Sequence, residues 1–162
     1  LGSSLTSRGF LETIAQVYEA RPRIATQLVV TLSQRAMDDL TPAAWRAIRD
    51  MHSFGFRFAL DKIEHMRTDF AALATSGFRF VRLDPQALFN GIALADRFVP
   101  ADEIYQRATL AGLSIIASDV ADAKTQKRLL EAGIGLGQGP LFGAARQVML
   151  DGVGPAKRSA AA

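Results

Sequence analysis

Short apolar runs alternate with helix-like segments along this chain, and the runs end in polar or glycine-rich steps. Leu28–Leu32 (LVVTL), Phe56–Leu60 (FRFAL), Phe78–Leu83 (FRFVRL) and Leu113–Ala117 (LSIIA) are strand-like, and a last short strand begins at Ile134–Leu136. Helical spacing joins Phe10, Ile14 and Val17 within Phe10–Glu19. Thr41-Pro42 reads as an N-cap with proline in the first turn, opening a helix through Trp45, Ile48 and Met51 to a stop near Gly55. Further helices are predicted over Thr68–Thr75, in pieces after Pro85 broken at Asn90-Gly91 and Pro100, and over Asp122–Ala132 closed by Gly133. Strand and helix thus alternate about five times, which implies parallel strands with crossover helices. Periodicity alone leaves an open sheet and a barrel equally compatible, and five units do not close an eight-stranded barrel. In either architecture a site belongs at the C-terminal ends of the strands.

The bulk properties bound the class. Of 162 residues, 49% are hydrophobic and 22% charged, enough apolar sequence for one globular core. A single domain over residues 1–150 and a flexible tail over 151–162 are expected, since Gly154-Pro155 and Ser159–Ala162 carry no periodic pattern. No run reaches membrane-span length and no leader peptide is visible, so direct membrane insertion is not expected. The absence of cysteine excludes disulfides and thiolate metal sites and fits a cytoplasmic address. Net charge is +3 with the basic residues scattered singly, so no nucleic acid polymer is expected as partner.

Five motifs carry a resemblance. Leu28–Gln34 (LVVTLSQ), Phe58–Glu64 (FALDKIE), Val81–Asp84 (VRLD), Ile116–Ala121 (IASDVA) and Gly137–Gly143 (GQGPLFG) follow one another in this order. They resemble, in turn, the LVLEITE, FALDDFG, LKID, VAEGVE and GQGYLFG segments of EAL domains, the cyclic di-GMP phosphodiesterase and receptor family. The likeness runs from near Leu5 to about Gly143, the later two thirds of such a domain. It implies a TIM-type (β/α) barrel whose first strands are absent from this chain, including the one bearing the E-A-L signature.

An EAL phosphodiesterase gathers carboxylates around two hard divalent cations that activate water. Against that pattern, Thr31 stands for the third-strand glutamate, and Ser33-Gln34 for the following Thr-Glu pair. Lys62 stands for the second aspartate of DDFG, and Ser118 and Ala121 for the sixth-strand glutamates. Within the stretch the resemblance covers, only Asp61 remains of the metal-binding acids. An ammonium at about 4 Å from a cation, at an effective dielectric of about 20, repels it by roughly 4 kcal/mol per unit charge. Hydrolysis is therefore not expected. Asp119 lies one residue past Ser118, and strand alternation would turn it away from the ligand position, so it is not expected to restore the acid.

Nucleotide binding does not depend on those acids alone. Arg82 offers a planar fork for a phosphate, and Lys62 could pair with a phosphate in place of a cation. Gln138 has an amide able to read a guanine edge, Phe142 a ring able to stack, and Gly137 and Gly139 allow close backbone approach. The residues expected at a nucleotide site are Asp61, Lys62, Arg82, Asp84, Ser118, Asp119, Gln138, Gly139, Pro140 and Phe142. Each has a plainer reading: Asp61 and Asp84 as helix caps, Lys62 and Arg82 as solvated rim, Gln138 bonded to local backbone, Phe142 as core. His52 and His65 form no metal-like pair in sequence and read as surface or structural. The loop KIEHMRTDF, where the family has DFGTGYSSL, is not expected to organise metals or a dimer contact.

The resemblance implies a catalytically inactive domain that binds cyclic di-GMP without a required cofactor or magnesium and signals through protein partners. Bacterial motility and biofilm control are the setting it implies, with a homodimer and tethering by regions outside this chain both compatible. A nucleotide-independent interaction scaffold is the alternative.

Overall fold

The computed structural model describes residues 25–95 and 97–143, together with Gln16, Tyr18, Glu19 and Arg23. Five parallel strands form one sheet: β1 Val29–Ser33, β2 Arg57–Asp61, β3 Phe78–Leu83, β6 Ser114–Ala117 and β7 Leu136–Gly137, adjacent in that order. Helices Pro42–Ser53, Phe70–Thr75, Ala101–Leu110 and Ala123–Glu131 cross between them. This is the α/β architecture predicted, and among the described residues the strands form an arc of barrel that does not close. Gln16, Tyr18 and Glu19 are helical; the rest of the helix predicted over 10–19, and the tail over 151–162, lie outside the described residues.

The central strands show why the pattern folds this way. Phe58, Ala59 and Leu60 in β2 are fully buried, as expected of a parallel strand covered on both faces. Phe56, Phe58 and Phe78 form the heart of the core, with the Phe58 and Phe78 rings 5.5 Å apart. In the Pro42–Ser53 helix, Ala44, Ile48 and Met51 fall on one buried stripe. Thr41 Oγ1 accepts from the Ala44 amide at 3.2 Å, and Gly55 follows the helix at φ +95°. The Ala123–Glu131 helix is capped by Asp122, whose carboxyl accepts from the Thr125 amide at 2.8 Å. That bond holds the Asp122 carboxyl below the usual carboxylate range.

Two elements depart from the sequence reading. A short helix, Gln34–Asp38, follows β1 at once, with Ser33 as its N-cap. Within the segment after Pro85, a two-stranded antiparallel hairpin, β4 Ile92–Ala93 with β5 Phe98–Val99, separates the Pro85–Asn90 and Ala101–Leu110 helices. Its turn into β4 depends on Gly91 at φ +85°, where a Cβ would meet the Val99 carbonyl at 2.4 Å.

Candidate functional site at the strand ends

All ten residues expected at a site line one of two adjoining cavities at the C-terminal ends of the strands. The first, about 470 Å³, is lined by Asp61, Lys62, Arg82, Asp84, Ser118 and Asp119, with Gly91, Ile92 and Ala93 of the hairpin. The second, about 740 Å³, is lined by Arg82, Asp119, Gln138, Gly139, Pro140 and Phe142. Arg82 and Asp119 border both.

Strand register brings the first group together. Arg82 alternates with the buried Val81 and Leu83 of β3, so its guanidinium leaves the opposite face of the strand. There its Nη1 donates to Asp61 Oδ2 at 3.1 Å, and both side chains are a little over one-fifth exposed. Arg82 Nε is buried and has no hydrogen-bond partner among the described residues. The fork expected to be free for a phosphate is therefore partly engaged by its neighbour, and Asp61 pairs with it instead of capping a helix. Asp84 does cap, its Oδ1 accepting from the Ala87 amide at 2.8 Å, while it also borders the cavity.

Two residues here have left-handed backbone: Lys62 at φ +51° and Asp119 at φ +56°. For residues with a Cβ this conformation is unfavourable and tends to occur at functional sites. It also corrects the expectation for Asp119. Strand alternation ends at Ala117, and the left-handed turn directs the exposed Asp119 to the cavities instead of away from them. Ser118 is buried, and its amide donates to the Leu83 carbonyl at 2.8 Å.

The glycine-rich segment is fastened by backbone. Gln138 N–H donates to Ala117 O at 2.8 Å, Val120 N–H to Gln138 O at 2.9 Å, and Leu141 N–H to Val120 O at 3.1 Å. A Cβ on Gly139 would lie 2.3 Å from Val120 N, so that glycine serves a backbone-to-backbone approach. A Cβ on Gly137 would meet the Phe142 ring at 3.0 Å. Phe142 is half exposed and borders the second cavity, so it is not core.

One residue that sequence reasoning counted only as a lost acid has a structural role. Gln34 is fully buried, and its Oε1 accepts from the amides of Glu64 (2.5 Å) and His65 (2.8 Å). Its Nε2 donates to His65 O (2.8 Å) and Thr68 Oγ1 (2.6 Å). The loop after Lys62 is thus held by one side chain using both ends of its amide. His65 also contacts Asp38 at 2.8 Å from Nε2, and His52 packs over Gly77. Both histidines have structural settings. The signal for Gln34 in sequence would have been a polar residue directly following a buried strand.

The sequence model of the EAL domain family matches residues 1–145. The chain belongs to the EAL domain family. Its structural neighbours agree. The EAL domain of Mycobacterium smegmatis DcpA superposes with a TM-score of 0.65 at 17% identity, over 88% of this chain and 63% of that one. The Xanthomonas citri FimX EAL domain, solved with c-diGMP, gives 0.65 at 19% identity, over 86% and 55%. Bacillus subtilis YkuI, solved with substrate c-di-GMP and calcium, gives 0.62 at 17% identity, over 88% and 34%. This EAL chain therefore spans less than two thirds of each. No curated protein matches it by sequence.

The donor set can be tested against the divalent cations that EAL chemistry implies. Among the described residues no three histidine, aspartate or glutamate side chains come together to hold a metal ion. Asp61 is already paired with a guanidinium, and an ammonium-bearing residue lines the same cavity. These residues do not fit a two-cation site. No helix among the described residues is long and apolar enough to cross a membrane.

Proposed function

We propose that this EAL domain is a receptor for cyclic di-GMP that works without hydrolysis and without a required metal, and passes its bound state to a protein partner. The observation that carries the reading is the convergence of Arg82, Gln138 and Phe142 on one cavity, which shares Arg82 and Asp119 with the cavity bearing Lys62. A guanidinium, an amide and a half-exposed ring are the groups that a phosphate, a guanine edge and a base face would meet. Lys62 supplies a cation to a phosphate where relatives would use metal. The YkuI and FimX neighbours, solved with this nucleotide, support the ligand class.

A nucleotide-independent scaffold is the second reading, and one observation favours it. Arg82 is engaged by Asp61, and three carboxylates (Asp61, Asp84, Asp119) border the first cavity beside two cationic residues. Calorimetric titration of cyclic di-GMP, in EDTA and then in magnesium at fixed salt, separates the two. The receptor binds saturably in EDTA, and Arg82→Ala weakens binding about tenfold or more through loss of a charge-assisted contact. Folded protein that binds in neither buffer leaves the scaffold. Binding only in magnesium overturns the metal-free mode, and turnover of the nucleotide overturns the non-hydrolytic one.

A further inference from the structure

The first cavity has two walls that come from distant parts of the chain. One is the hairpin, through Gly91, Ile92 and Ala93; the other is the start of the loop after β2, through Lys62 and Ile63. On the outer side of the fold a single carboxylate reaches toward both. Glu103, in the first turn of the Ala101–Leu110 helix, accepts both ends of the Arg97 fork, at 2.9 Å from Nη1 and 2.6 Å from Nη2. Arg97 immediately precedes β5 of the hairpin. The same carboxylate accepts from Arg107 Nη2 at 3.0 Å, one helical turn on. Arg107 in turn donates through Nη1 to the carbonyl of Met66 at 2.9 Å, in the loop that Gln34 holds from the other side.

We infer that Glu103 and Arg107 are positioning residues, a strap that sets the spacing between the hairpin and the Lys62 loop and so shapes the cavity between them. The inference rests on the nucleotide-receptor reading for its consequence on affinity, while the strap itself is a property of the fold. The geometry gives it more weight than a lone surface ion pair. Arg97 makes a bidentate fork, Glu103 is shared by two guanidinium groups, and Arg107 ends on a backbone carbonyl. Arg97, chiefly, holds the Glu103 carboxyl below the usual range, as expected for an acid that accepts from two cations.

Amide hydrogen exchange on the complete chain tests the strap, with titration of cyclic di-GMP alongside. Glu103→Gln is expected to speed exchange about threefold at Leu94 in the hairpin and at Glu64 and His65 in the loop, with the β3 amides unchanged. Arg107→Met is expected to speed the loop amides alone, because the Arg97 fork stays in place. Cyclic di-GMP affinity should fall about threefold in each variant, with unchanged melting temperature. Loop exchange unaffected by Glu103→Gln overturns the strap, as does acceleration that includes β3, which would mark a general loss of stability. Accelerated walls with unchanged affinity overturn its role in the cavity. Absence of nucleotide binding by the unmodified protein removes the receptor reading instead, and the exchange data still decide the strap.

Discussion

Gln34 and Arg82 occupy comparable places, one just past the end of β1 and the other near the end of β3, yet they meet opposite fates. Gln34 is sealed from solvent and all its hydrogen-bonding capacity goes to the loop after Lys62. Arg82 keeps one ion pair, leaves Nε without a partner among the described residues, and faces two cavities. A buried polar group with every bond made specifies structure, whereas one left partly unmade has capacity for a ligand. The difference separates the architecture of this EAL domain from its candidate site more sharply than sequence motifs do.

Breaking the first half of that contrast should give the largest effect. Gln34→Ala strands the Glu64 and His65 amides and opens a cavity, and urea unfolding should register a loss of about 2–4 kcal/mol. Gln34→Met fills most of the space but makes none of the bonds, so most of that loss should persist. Near-native stability in Gln34→Met would mean that the bonds to the loop carry little of it.

Gly139→Ala probes the frame of the second cavity. Its Cβ would collide with Val120 backbone at φ +149°, and a loss of about 2–3 kcal/mol in the same assay is expected. A neutral result would show that the strand-end segment can reseat without its backbone contacts.

The second half of the contrast sharpens with Asp61→Asn. Removing the carboxylate charge that engages Arg82 should tighten cyclic di-GMP binding about threefold, read by calorimetry at low salt. Weaker binding would instead make Asp61 a ligand contact.

Acid should produce the smallest change. Glu103 has a depressed folded-state pKa, so its contribution is present above the unfolded value and is lost as pH falls through the folded one. The difference in amide protection at Leu94 and His65 between the unmodified protein and Glu103→Gln, compared at equal pH, should therefore be constant near neutrality and vanish in acid, below the ordinary carboxylate range. A difference that grows with acid would reverse the assignment.

Much of this was legible in the chain. Phe58–Asp61 and Val81–Asp84 announced strand ends because an apolar run stops at a polar residue, and Thr41-Pro42 and Asp122 announced helix starts through local capping chemistry. The cavity residues could be grouped because parallel register aligns strand ends. Long-range partnerships were hidden. The Asp61–Arg82 pair spans 21 residues and Gln34's bonds span 30 to 34, so neither leaves a periodic trace. Asp119 misled because alternation presumes extended backbone, and its φ is +56°. Two-residue strands such as Ile92–Ala93 are too short to show any period.

The left-handed turns at Lys62 and Asp119 make these positions different targets for selection by heat and by ligand. A library screened only for thermal tolerance should enrich glycine or asparagine at 62, since either relieves a backbone cost of about 1 kcal/mol or more. Such winners would have discarded the one cationic residue besides Arg82 that, among the described residues, borders the first cavity. In this domain, improving the scaffold and keeping its charge pattern pull the same codon in opposite directions.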